Sequence, residues 1–308
     1  MSFNDNVQLD TSQVGSGGSG GAPGGMVVGG GIGGIILLII GLIFGINPGQ
    51  LPTNPGGGGG FNDGQVQAGG STDPNAFAEC RTGADANKND RCRVIATVNS
   101  LNAFWSAELP RYGREYPPAK TILYTGSTQS GCGTASNQVG PFYCPLDKQV
   151  YIDSDFFAIL SQQFGSSTGP LAQEYVVAHE YGHYIQDLLG LLDRAQQDPR
   201  GTDSGAVRVE LMADCLGGVW VHHAVNTKDA RGTTFLKPLT DKDIADALSA
   251  ASAVGDDNIQ EKAQGRVTPE NWTHGSSQAR KLWFTTGYES GDLNQCDTFS
   301  VADVDPAA

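Results

Sequence analysis

Apolar residues recur at helical spacing in several separated stretches of this chain. In 94–109, Ile95, Val98, Leu101, Phe104 and Trp105 share one face, and Pro110 follows. That pattern predicts an amphipathic helix closed by a residue that cannot continue it. Residues 175–189 are apolar almost throughout, and Gly190 supplies a stop. Further helices are predicted over 206–225, 241–253 and 276–288. Residues 121–125 and 149–153 read as short β-type runs, separated by a Gly/Ser/Thr-rich stretch over 126–143. They are expected to form a hairpin or small sheet leading into the 175–189 helix. The predicted fold class is α+β, mainly helical with a small sheet, over residues 76–299.

A different pattern precedes that domain. Residues 26–46 carry no charged or strongly polar side chain. About 20 apolar residues at a rise of 1.5 Å span a bilayer core of about 30 Å. No basic residue precedes the run and no cleavage box follows it, which argues against a signal peptide. The expectation is a single uncleaved transmembrane helix that joins the chain to a cell membrane. Residues 1–25 are expected to be a disordered Gly/Ser-rich tail and 47–75 a flexible Gly/Pro-rich linker. Residues 300–308 form a C-terminal tail. Neither flank of the apolar run contains Lys or Arg, so loop charge does not orient it.

The net charge of −14, with no cluster of Lys and Arg, excludes a nucleic-acid partner. Six cysteines fall inside the domain: Cys80, Cys92, Cys132, Cys144, Cys215 and Cys296. None forms a C-x-x-C pair. Six cysteines allow about 15 pairings. The twelve-residue spacing of Cys80/Cys92 and of Cys132/Cys144 favours two local bridges, leaving Cys215 with Cys296. Bridged cysteines place the domain outside the cytosol; six reduced buried thiols are the alternative.

The chemistry concentrates in His179-Glu180-Tyr181-Gly182-His183. Histidines at i and i+4 lie on one helix face, where two imidazoles can converge on one Zn²⁺. The intervening glutamate borders that site and can act as general base toward water. Hydrolytic zinc sites take three protein ligands and keep one position open. A third histidine of the metzincin pattern is excluded, because Gln186 and Leu189 occupy the positions it needs as Gly and His. Glu210 and Asp214 stand out instead, two carboxylates one turn apart on an otherwise apolar helix. Glu210 is the expected third ligand. Asp214 is the expected acceptor for the free ring N–H of a ligating histidine. Asp203 is a weaker rival in a turn-forming loop. His274, in a Gly/Ser setting before a helix, is the candidate donor to a developing oxyanion; the bland reading makes it incidental to a cap at Ser276. His222 and His223 read as ordinary residues near a helix end.

These motifs resemble a membrane-anchored family of bacterial neutral zinc metallopeptidases. The resemblance rests on Cys80–Asn87, Cys132–Ala135, Gly140–Pro145, His179–Gln186, Glu210–Cys215 and Thr273–Ser277, in that order along the chain. It departs in the first 25 residues, where the basic start of many relatives is missing. The resemblance implies a zincin-like metallopeptidase domain behind an N-terminal anchor, acting on a peptide or protein in the cell envelope. The competing expectation is a non-catalytic envelope protein whose metal site is structural or degenerate and whose domain binds partners.

Overall fold

The computed structural model describes residues 2–17, 70–71, 75–136 and 140–306. The predicted transmembrane helix at 26–46 lies outside the described residues, as does nearly all of the predicted linker at 47–75. Among the described residues, no helix is long and apolar enough to cross a membrane.

Seven helices of eight residues or more carry the described structure: α1 (Asp90–Glu108), α2 (Phe156–Phe164), α3 (Pro170–Leu189), α4 (Gly205–Ala224), α5 (Asp241–Ala253), α6 (Asp256–Gln264) and α7 (Ser277–Ser290). The strands are β1 (Val14–Gly17), β2 (Gly70–Ser71), β3 (Lys120–Tyr124), β4 (Ser127–Ser130), β5 (Gly133–Ser136), β6 (Phe142–Cys144) and β7 (Gln149–Asp153). Mainly helical with small sheets, the architecture is α+β.

Local chemistry sets the helix ends. Asn89 caps α1 by accepting the N–H groups of Arg91 and Cys92. Pro170 starts α3, five residues earlier than the apolar pattern predicts, because a first-turn N–H needs no partner. Gly190, at φ +74°, ends α3 in the left-handed conformation that glycine adopts without strain.

The main sheet runs β2-β1-β3-β7-β6, and β4–β5 is a separate hairpin. The two predicted strand runs do pair, but parallel, with Ile122 opposite Tyr151. The antiparallel neighbour of β7 is β6, at the end of the stretch read as irregular. A hairpin between the two runs is therefore corrected to a parallel pair. Every residue of β7 is buried, as a central strand requires.

The expected disordered tail at 1–25 is corrected for residues 2–17, which belong to the fold. Phe3 and Val7 are fully buried. Asn4 N–H donates to the Phe235 carbonyl at 2.9 Å, and its side-chain amide donates to the Thr234 carbonyl at 2.7 Å. Leu9 N–H donates to Arg81 O at 3.0 Å, and β1 lies parallel to β3. No local periodicity announces this segment. Isolated apolar anchors and backbone groups find partners far along the chain. The C-terminal tail is anchored too: Val304 and Asp305 are buried, and Asp305 accepts both the N–H and the hydroxyl of Ser276 at 2.6 and 2.7 Å.

All six cysteines are paired as the spacing favours: Cys80–Cys92, Cys132–Cys144 and Cys215–Cys296. Closing each twelve-residue loop contributes about 3 kcal/mol by restricting the unfolded chain.

Candidate metal centre

Helix α3 carries His179 and His183 one turn apart, their rings edge to face with centroids separated by 4.8 Å. Helix α4 brings Glu210 up to both. His179 Nε2 lies 3.1 Å from Glu210 Oε2, and His183 Nε2 lies 3.3 Å from Glu210 Oε1. One donor atom from each of the three residues lies within 4.8 Å of the others, and all three residues are buried.

This approach depends on a glycine inside the histidine motif. A Cβ on Gly182 would stand 2.9 Å from both Cα and O of Ala213 on α4. Only a residue without a side chain lets the two helices meet there. The structure packs Gly182 directly against α4. On the other side of α4, Gly287 of α7 is equally obligatory, since its Cβ would fall 1.9 Å from Cys215 O. The Cys215–Cys296 bridge ties α4 to the chain just beyond α7.

Around the ligand set lies a shell that fixes proton positions. Asp214 Oδ1 lies 2.8 Å from His179 Nδ1. It also accepts from the Tyr175 hydroxyl and from Arg280 Nη2, while Oδ2 accepts from Arg280 Nε at 2.8 Å. Burial pushes the Asp214 carboxyl up, but Arg280 and His179 outweigh it and hold it below the usual range. An ionised Asp214 requires the proton of His179 on Nδ1, because a lone pair there would face the carboxylate.

His183 is set the same way by a different residue. Its Nδ1 lies 2.9 Å from Gln186 Oε1. Gln186 Nε2 donates to the Val209 carbonyl at 2.6 Å, so the amide presents its oxygen to the ring. The proton of His183 is on Nδ1 as well.

With both Nδ1 positions so engaged, Nε2 is the ring atom that each histidine turns toward Glu210. These two nitrogens and the Glu210 carboxylate form a cluster that holds a cation, whether a proton on His179 or a metal ion. Burial lowers the affinity of His179 for a proton, yet Asp214 and Glu210 outweigh it and lift it to about 9. Burial would raise Glu210, but the surrounding histidines hold it well below the usual carboxylate range. The field of the site favours positive charge, and two nitrogens with a carboxylate are a donor set that suits zinc.

Glu180 lies beside these residues on α3, and burial raises its carboxyl. Its Oε2 is buried with no hydrogen-bond partner among the described residues. His274 approaches from the loop before α7, its Nε2 3.6 Å from Glu210 Oε2. Asp256 Oδ2 holds that loop by accepting the N–H groups of Thr273, His274 and Gly275 at 2.8, 2.6 and 3.1 Å. Burial pushes His274 down to about 3, so its ring is neutral. The Thr273 hydroxyl lies 2.8 Å from its Nδ1. When that hydroxyl donates, the ring proton is on Nε2, facing the site.

Tertiary structure thus brings together His179, Glu180, His183, Glu210, Asp214 and His274. It leaves Asp203 apart, paired with Arg208 at 2.5 Å and accepting Val304 N–H at 3.0 Å. His222 and His223 lie near the end of α4 against the carbonyls of Tyr288 and Gly291, at 2.7 and 2.9 Å. Sequence reasoning missed Arg280, Tyr175 and the role of Gln186. Helical spacing held two of the signals: Tyr175 is four residues before His179, and Gln186 three after His183. Arg280 gave none, since nothing local shows that it reaches Asp214.

A family model described as "Putative neutral zinc metallopeptidase" matches residues 2–299. The chain belongs to this family. The matched span includes the N-terminal segment as well as the candidate metal centre. An uncharacterized protein of Mycobacterium tuberculosis is 56% identical over 229 residues, covering 74% of this chain and 77% of that protein. The uncharacterized protein YpfJ of Escherichia coli (strain K12) is 40% identical over 211 residues, covering 67% of this chain and 69% of its own. No solved structure matches the chain.

Proposed function

We propose that this protein is a zinc-dependent peptidase in which His179, His183 and Glu210 hold the metal and Glu180 is the general base. The carrying observation is the convergence of a nitrogen from each histidine and a Glu210 carboxylate oxygen within 4.8 Å, beside a buried Glu180 oxygen with no hydrogen-bond partner among the described residues. When bound, zinc supplies Lewis acidity, lowering the pKa of water toward about 7 and polarising a carbonyl.

The chain's own residues do the rest. Glu180 accepts a proton from water as its oxygen adds to the peptide carbonyl carbon. Neutral His274 donates through Nε2–H to the carbonyl oxygen as negative charge gathers there, a kind of contact worth about 2.7–4 kcal/mol in comparable sites. The C–N bond then breaks, and Glu180 returns the proton to the departing amine nitrogen. Asp214 and Gln186 keep both ligating rings in the tautomer that offers Nε2. The three disulfides support an oxidising compartment outside the cytosol.

The test uses the full chain, zinc counted per molecule, and a fluorogenic peptide mixture. Glu180→Gln is expected to keep its zinc and lose hydrolysis; Glu210→Ala is expected to lose zinc. Zinc fully retained in Glu210→Ala would remove that residue from the ligand set. A wild-type protein that holds zinc and cuts no peptide would favour the non-catalytic envelope protein.

A further inference from the structure

The N-terminal segment sets a topological condition on the apolar run that follows it. Residues 2–17 join the domain at widely separated places. Phe3 bridges to Leu236, Gln8 bridges to Thr82, and Val14 to Ser16 pair in parallel with Thr121 to Leu123. Asp10 N–H donates to the Asn99 side chain at 2.7 Å, and Gly83 N–H donates to Val7 O at 3.0 Å. Beyond the apolar run the chain returns to this same edge of the sheet. Gly70 lies opposite Gly17 in the antiparallel β1–β2 pair. Directly opposed residues in such a pair are about 4.5–5.5 Å apart at Cα.

A single crossing separates its two ends by a hydrocarbon layer of about 30 Å. It would place residues 2–17 in one compartment and residues 70–306 in the other. That is incompatible with every contact just named, and with the complete burial of Phe3 and Val7. Two crossings need about 40 apolar residues. The strongly apolar run comprises only residues 26–46.

We infer that residues 2–17 and the metal centre occupy the same compartment, with no net bilayer crossing between strands β1 and β2. It is independent of the proposed catalysis, because it rests on strand pairing remote from Glu180 and Glu210.

The experiment uses the full chain in its producing cells. All six native cysteines are bridged, so a maleimide reads only an added thiol. Asn6→Cys and Ser2→Cys report the N-terminal segment, and Glu115→Cys reports the domain; all three positions are exposed. A membrane-impermeant maleimide is applied to intact spheroplasts and again after permeabilisation. The expected result is that all three sites label under the same condition, whichever it is. Labelling of Glu115→Cys in intact spheroplasts, with Ser2→Cys and Asn6→Cys labelled only after permeabilisation, would overturn the inference, as would the reverse. Zinc content equal to wild type in each variant shows that the domain is folded when it is read.

Discussion

The histidine motif contains a glycine that the metal chemistry itself does not require, and replacing it tests how the site is built. In Gly182→Ala the new methyl would stand 2.9 Å from the Cα and carbonyl oxygen of Ala213. Carbon contacts settle at about 3.5–4.0 Å, so α3 and α4 must part locally by about 0.6–1 Å. Overpacking of this kind costs about 1–3 kcal/mol. Each kcal/mol lowers the Tm of a domain this size by about 2–4 °C. Metal–ligand distances tolerate only about 0.2 Å, and Glu210 lies on the displaced helix. Zinc affinity is expected to fall at least about tenfold, or 1.4 kcal/mol. Gly217→Ala is the control on the same interface. There the new methyl meets Ala178 Cβ at 3.7 Å, an ordinary contact, and helix propensity gains up to about 1 kcal/mol. The assays are thermal unfolding in a chelator and zinc titration against a competing dye. Wild-type zinc binding in Gly182→Ala, or equal damage in Gly217→Ala, would refute the close-packing argument.

Other residues give separate outcomes. Gln186→Met removes the acceptor for His183 Nδ1–H and is expected to weaken zinc binding about 10–100-fold by dye competition, with Gln186→Glu recovering much of it. Arg280→Met leaves the fully buried Asp214 without its guanidinium; urea unfolding of the metal-free protein should show a loss of about 3–5 kcal/mol, smaller when Asp214→Asn is added. Glu174, fully buried on α3 with neither oxygen bonded among the described residues, is pushed up by burial to about 7, against the pull of Arg93 and with the help of Asp243. The folded chain therefore binds that proton more tightly than the unfolded chain does. The resulting stabilisation is present below the unfolded value near 4.5 and is lost as pH rises through about 7, a change of about 3 kcal/mol. Glu174→Gln should abolish that part of the pH dependence in urea midpoints measured across the window.

The helices of the core were legible because burying one face imposes a 3.6-residue period that survives in the sequence, as at Ile95, Val98 and Leu101. Strand pairing was only half legible. The two runs at 121–125 and 149–153 showed β character, but nothing local says whether neighbours run parallel or antiparallel. The segment 2–17 was not legible at all. Phe3 and Val7 obey no period, and Asn4 and Asp10 find their partners at Thr234 and Asn99.

For the candidate metal centre, the sequence by itself determined two candidate ligands, the candidate base and the disulfide spacing, because helical geometry fixes what i and i+4 can share. It also put Glu210 and Asp214 one turn apart on a second helix. Only the tertiary structure decided that this helix faces the first. That outcome turns on glycines at 182 and 287 that let the helices nearly touch. It likewise decided that Asp214, Arg280 and Gln186 hold both ring protons on Nδ1. A proton's position depends on which atoms meet across the fold, and local spacing does not encode those meetings.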